Sequence, residues 1–340
     1  MKERHEIYIF TELQNYGFLT VLLYFIFKYP NHCISKFFYF YYMKKINLIA
    51  VALSCLFSIH SIAQGPKALV VTAHPDDETG MAAVIYKITH DLKGTVDQCV
   101  ITNGEAGYKY STLGNDYYGL DLTDPEVGRA NLPRIRKQEL INAGKIIGMN
   151  NIFFLDQKDA HYGLDEHEPL DTSWNVSWVS ARLKDILTKT KYDYVFCLLP
   201  TPETHGGHKA ATLLALRAVK DLPETQRPII LGVSGSTKTD TTIQHFTQLK
   251  AYTETKIDGD TALYKFDMSV GFGFKAILNY KIIVNWEIAE HKSQGTMQLY
   301  MNHGDYEDFW YFAINNPAGK AKCAALFEQL KKIPYQTRTY

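Results

Sequence analysis

The chain has 340 residues, enough for one large domain or two small ones, and its 46% apolar and 21% charged content is that of an ordinary globular protein. Thirty-six basic residues balance thirty-six acidic ones, so no basic surface for nucleic acid is signalled. Five cysteines in no CxxC arrangement argue against both a zinc ribbon and a disulfide framework.

Residues 1–42 hold seven Phe and seven Tyr without helical period, and read as an upstream extension with Met43 as the expected initiator. Met43-Lys44-Lys45 leads into the apolar run INLIAVALSCLFSI, and Ser61-Ile62-Ala63 places small residues where a signal peptidase cuts. Residues 43–63 are therefore expected to be a signal peptide. A membrane anchor would need an apolar run of about 20 residues, so no stable span is expected after cleavage. The remaining 64–340 is read as a single domain with 30 basic and 33 acidic residues, secreted and periplasmic. Cys99 and Cys197, in apolar strand-like runs, read as buried thiols.

From Lys67 onward short apolar runs alternate with amphipathic stretches. Strands are predicted at 68–73, 95–102, 151–155, 192–199 and 228–233, with helices over Thr79–Leu92, Pro133–Met149, Val176–Thr190 and Gly207–Asp221. This order predicts an α/β, Rossmann-like, mostly parallel sheet with helices on both faces. Two stretches break it: the Tyr-, Gly- and Asp-rich 104–132, and the Thr- and Lys-rich 235–260. A further strand is expected at 262–269. The C-terminal region reads as helical, over Tyr280–Met301, Tyr306–Asn315 and Ala318–Lys331.

The chemistry concentrates at two strand ends. The first strand stops in AHPDDE, crowding His74, Asp76, Asp77 and Glu78 where like charges repel and burial is costly. A cation is expected there. His74 and Asp77, three apart, can reach one metal, and Asp76 between them need not ligate. The fourth strand runs into THGGHKAA, with His205 and His208 again three apart and His208 opening a helix. In a parallel sheet ligands bind beyond the carboxyl ends of the strands, so these four residues can share one site. Two histidines, one carboxylate and an open position make a catalytic zinc set, whereas magnesium or calcium would ask for oxygen ligands. Asp76 is then placed as general base, and whichever of His205 and His208 is not a ligand can, as imidazolium, stabilise an oxyanion. That inventory fits hydrolysis of an unactivated amide. An isolated HxxH or a capped turn would read as plain surface; the pairing of the two clusters argues otherwise.

AHPDDE, TNGEAG (102–107), RIRKQELINAGKIIG with Arg136 and Glu139, HxxH, and HKSQ (291–294) resemble, in this order from Lys67 to Met301, the LmbE-like (PIG-L) family of zinc-dependent N-acetylglucosaminyl deacetylases. The resemblance implies His74, Asp77 and His208 as zinc ligands, Asp76 as general base and His205 as oxyanion stabiliser. It implies a hydrolase removing the acetyl group of an N-acetylglucosamine-type sugar or glycoconjugate, its partner a small molecule or oligosaccharide, and the expected signal peptide makes that hydrolase a secreted one. Another amide substrate, or a carbohydrate-binding member with weakened chemistry, is the alternative. The family has Pro-Asp between its histidines; here Gly206-Gly207 stands instead, which puts the tuning of His205 in question. Arg136 and Glu139 read either as an exposed i,i+3 pair or as support for the site. Asn103, Glu105, Tyr108 and Tyr110 are substrate-binding candidates, aromatic rings being able to stack on a sugar face. Asp159 and His161 are placed near the mouth. Glu78 is left to cap the following helix or to support the ligands from behind.

Overall fold

The computed structural model describes Lys28 and residues 65–335; the expected extension and signal peptide lie outside the described residues, Lys28 apart. A seven-stranded sheet organises the rest. Its strands are β1 (Lys67–Thr72), β2 (Thr95–Thr102), β3 (Ile152–Gln157), β4 (Tyr194–Leu198), β5 (Ile229–Ser236), β6 (Tyr264–Asp267) and β7 (Tyr306–Tyr311), in the order β3-β2-β1-β4-β5-β7-β6. The first five are mutually parallel, and β7 runs antiparallel to both β5 and β6.

The helices are α1 (Ala82–Tyr86), α2 (Thr112–Tyr118), α3 (Pro125–Ile147), α4 (Val176–Lys189), α5 (Gly206–Lys220), α6 (Lys281–Ile288), α7 (Gly295–Gln298) and α8 (Gly319–Leu330). They cover both faces. Leu69 and Val71 point to the side packed by Val179 and Leu183 of α4 and Ala211 and Leu214 of α5. Ala68 and Val70 point to the side packed by Val84 and Ile85 of α1, Ile283 of α6 and Phe327 of α8. A strand buried on both faces needs apolar residues at every position, which is why these strands were legible as continuous apolar runs.

Three expectations are corrected. Tyr306–Tyr311, read as helix, is strand β7: its aromatic run YEDFWY fits a pleated surface, and pairing on both edges decides the matter. The C-terminal region is therefore not helical throughout, and Tyr280–Met301 is broken into α6 and α7 by the segment that carries His291 and Ser293. Helix α3 starts at Pro125, eight residues before its predicted start. Asp124 caps it by accepting from the amides of Glu126 and Val127, both at 2.9 Å, and Pro133 lies inside it. Cys99, Cys197 and Cys323 are buried free thiols, and among the described residues no helix is long and apolar enough to cross a membrane.

Chain direction positions the site. From β1 the sheet grows outward through β2 and β3, then restarts on the other side with β4 and β5. The carboxyl ends of β1 and β4 thus flank the point where strand order reverses, the usual crevice for ligands in such sheets. These are the two ends that carry AHPDDE and THGGH.

Candidate metal and catalytic centre

Asp77 is anchored by its own turn. Its Oδ2 accepts from the amides of Ala73 (3.0 Å) and His74 (2.8 Å), which aims Oδ1 at His208 Nε2, 2.9 Å away. His208 Nε2 lies 3.1 Å from His74 Nδ1, and His74 Nδ1 lies 3.6 Å from Asp77 Oδ2. Tetrahedral zinc with ligands at about 2.0–2.1 Å has ligand-to-ligand edges of roughly 3.3 Å. His208 stands near that spacing from both Asp77 Oδ1 and His74 Nδ1, and His74 reaches the other oxygen of the same carboxylate. His205 adds its ring to the cluster: ring nitrogens of His74, His205 and His208 can all lie within 4.8 Å of one another. The residues present therefore fit a metal ion.

The far nitrogen of His74, Nε2, faces Asp159 Oδ2 at 3.8 Å, the arrangement by which a carboxylate behind a histidine fixes its orientation. Burial opposes charge on His74, but Asp77 and Asp159 outweigh it and raise its pKa to about 10. Burial likewise acts against ionised Asp159, yet the adjacent His74 brings it down to about 2. His205 differs. Burial, reinforced by the neighbouring His74 and His208, lowers its pKa to about 4, which disfavours the imidazolium form. A neutral ring still offers one N–H.

Asp76 stands beside the cluster with a strained backbone, φ 111°, outside the usual range of a residue with a Cβ. Two contacts hold it there. Its amide donates to Glu78 Oε2 at 3.0 Å, and Arg136 Nη2 pairs with its Oδ2 at 3.0 Å while also donating to the Pro75 carbonyl. Burial raises the Asp76 carboxyl to about 6 against the opposing pull of Arg136. Asp76 caps no helix with its side chain.

Arg136 and Glu139 are not an exposed pair. Both are buried, and they serve different partners. Arg136 Nη1 donates to Gly104 O at 2.6 Å; a Cβ at residue 104, where φ is +68°, would lie 2.1 Å from that nitrogen, so glycine is required. Its guanidinium is occupied by the turn instead of facing an open mouth. Glu139 accepts from the Ser293 amide and hydroxyl and from Tyr118, each at 2.7 Å, tying the HKSQ segment to the Tyr-rich stretch. Tyr118 and Tyr108 pack against Leu122, Leu132 and Ile135, whereas Tyr110 and Tyr117 are exposed. Glu105 is buried and Asn103 half-buried, each with a side-chain oxygen lacking a hydrogen-bond partner.

Glu78 supports the turn from behind and is fully buried. Its Oε1 accepts from His291 Nε2 at 2.8 Å, and its Oε2 accepts from Gln98 at 3.2 Å as well as from Asp76. Glu287 Oε1 lies 3.1 Å from the same His291 nitrogen. Burial resists both charges of the pair, but His291 holds Glu78 below the ordinary range, and Glu78 with Glu287 holds His291 well above its own. Burial pushes Glu287 up to about 8, which favours its protonated form beside the Glu78–His291 pair. Nothing in HKSQ alone connects His291 to Glu78, 213 residues earlier.

A cavity of about 70 Å³ opens beside the centre, lined by His74, Asp159, His161, Trp174, His205 and Gly207. Asp159 and His161 do line the mouth. Trp174 carried no sequence signal.

The chain is 25% identical over 166 residues, 49% of its length, to the "Probable N-acetyl-alpha-D-glucosaminyl L-malate deacetylase 2" of Bacillus cereus, and it spans 66% of that relative. Among solved structures, the N,N'-diacetylchitobiose deacetylase of Pyrococcus horikoshii matches 72% of this chain and 82% of its own at 18% identity and TM-score 0.43. The 4-carboxy-2-hydroxymuconate hydratase GalB of Pseudomonas putida matches 72% and 95% at 14% identity and TM-score 0.47. Residues 69–219, which run from β1 through the two histidines to the end of α5, match the profile of the PIG-L family, described as GlcNAc-PI de-N-acetylase. Residues 69–219 of this chain thus match a PIG-L (LmbE-like) family domain.

Proposed function

We propose that the protein is a zinc-dependent N-deacetylase acting on an N-acetylglucosamine-type sugar or glycoconjugate. The observation that carries this reading is the convergence of Asp77, His208 and His74 at 2.9–3.6 Å, with Asp76 beside them and outside the set. The name of the family and the name of the Bacillus cereus relative support the acetyl-amino-sugar class. A mixed nitrogen and oxygen donor set favours zinc over magnesium or calcium. Zinc held by these groups supplies Lewis acidity toward the amide carbonyl and the attacking water.

The chain's own residues do the rest. Asp76 takes a proton from the water as its oxygen attacks the acyl carbon, and delivers it to the leaving nitrogen, so acetate and the free amine are the products. His205 turns its N–H toward the carbonyl oxygen as that oxygen gains charge. Asp159 holds His74, and Arg136 holds Asp76. Purified protein loaded with zinc is expected to bind about one ion per chain and to release acetate from N-acetylglucosamine or N,N'-diacetylchitobiose. Metal analysis finding no bound zinc defeats the centre, and zinc-loaded protein releasing no acetate from either defeats the substrate class.

We also propose secretion to the periplasm, on the basic start and apolar run of residues 43–63. N-terminal sequencing of protein from a periplasmic extract is expected to begin at Gln64; a start at Met1 or Met43 overturns it.

A further inference from the structure

We infer that Tyr162 is a positioning residue for His205, and that Gly206 and Gly207 exist to let its loop dock there. The inference rests on the reading of His205 as the group that meets the developing oxyanion.

His205 has a problem of orientation. Its Nδ1 is buried without a hydrogen-bond partner, so no acceptor behind the ring fixes its rotation. In the related pattern, an acid between the two histidines is available for that task; Gly207 cannot perform it. A different contact is present. The Tyr162 ring lies over the His205 ring with centroids 4.9 Å apart and planes 17° from parallel. The stack restrains the imidazole plane without using either nitrogen, leaving the N–H available to substrate.

The two glycines explain how the loop gets there. The Gly206 amide donates to the Gly163 carbonyl at 2.8 Å, next to Tyr162 in the chain. Proline, with no N–H, cannot make that bond. A Cβ at residue 206 would lie 2.2 Å from the Asp165 carbonyl oxygen, a backbone atom that cannot move aside cheaply. A Cβ at residue 207 would stand 3.1 Å from His205 Nδ1 and 3.3 Å from His74 Cε1. Bare backbone at residues 206 and 207 thus admits the loop, and the loop's ring supplies the orientation that Gly207 cannot. Tyr162 is 62% exposed, so it contributes little to the core.

The test compares the full-length zinc-loaded protein with Tyr162→Ala and Tyr162→Phe, reading kcat and KM on N-acetylglucosamine or N,N'-diacetylchitobiose, zinc content, and the ring-proton resonances of His205. A stacking contact of ordinary strength corresponds to roughly a 2- to 10-fold change in rate. Tyr162→Ala is expected to lower kcat by that factor with KM and zinc unchanged, and to shift the His205 resonances by removing the ring current. Tyr162→Phe is expected to restore both. Equal loss in the two variants makes the phenol hydroxyl the active group and overturns the inference, as does a rise in KM alone. Wild-type protein that releases no acetate from either sugar defeats the deacetylase reading instead. The resonances then decide the stack by themselves: no shift in Tyr162→Ala overturns it.

Discussion

Asp76→Asn is expected to retain the metal and to lower turnover by ~10²-fold or more, the contribution typical of a positioned general base. The substitution preserves shape. An amide oxygen still accepts from Arg136, whose contact with Asp76 Oδ2 measures 3.0 Å, and the amide of residue 76 still reaches Glu78. What disappears is the capacity to accept the proton of the attacking water. The ligating atoms belong to Asp77, His208 and His74, and Asp77 is held by the amides of Ala73 and His74 independently of residue 76. Parallel metal analysis and acetate-release kinetics separate the two roles. Loss of metal with activity would make Asp76 a ligand, and full activity would assign the base elsewhere.

His291→Ala is expected to destabilise the folded chain by about 3–5 kcal/mol, the usual cost of removing one member of a buried ion pair. Its Nε2 donates to Glu78 at 2.8 Å, and both side chains are shielded from solvent. Without the imidazolium, Glu78 keeps a carboxylate in a dry site with neutral donors alone, among them the Asp76 amide, Gln98 and the Glu287 carboxyl. It must either remain charged at the desolvation cost or take up a proton. Urea unfolding of wild type and variant measures the difference, and a change below about 1 kcal/mol would show that Glu78 finds other compensation. The exposed pair of Lys331 and Glu328 makes the contrast, since solvent screens such contacts and their removal costs little. Because Glu78 also accepts from the strained Asp76 turn, the same variant couples a segment near the end of the chain to the proposed base.

The Gly-Gly departure changes the expected consequence of restoring the family pattern. On sequence alone, Gly206-Gly207 looks like a lost acid. In the fold it is a docking surface for the loop at residues 162–165. Reinstating Pro-Asp would remove the Gly206 amide bond and drive a Cβ into the Asp165 carbonyl, so the two arrangements are alternatives and not a better and a worse version of one site.

The sequence by itself determined the parallel core of the sheet and the position of its chemistry. β1 and β4 are buried on both faces, so their apolar character is nearly continuous, whereas β2 buries Asp97 and Gln98 between its apolar ends. His74-Asp77 and His205-His208 were legible because short-range spacing and strand-end location are local properties. The tertiary structure decided everything that depends on partners far away in the chain. β7 is a strand because β5 and β6 pair with it, not because YEDFWY excludes a helix. Arg136, Glu139, Glu78 and His291 look like surface charges in any local window. They are buried because Asp76, Ser293 and one another arrive from up to 213 residues away to satisfy them. A local pattern records what a residue prefers when water surrounds it; only the fold supplies the opposite charge that makes burial tolerable.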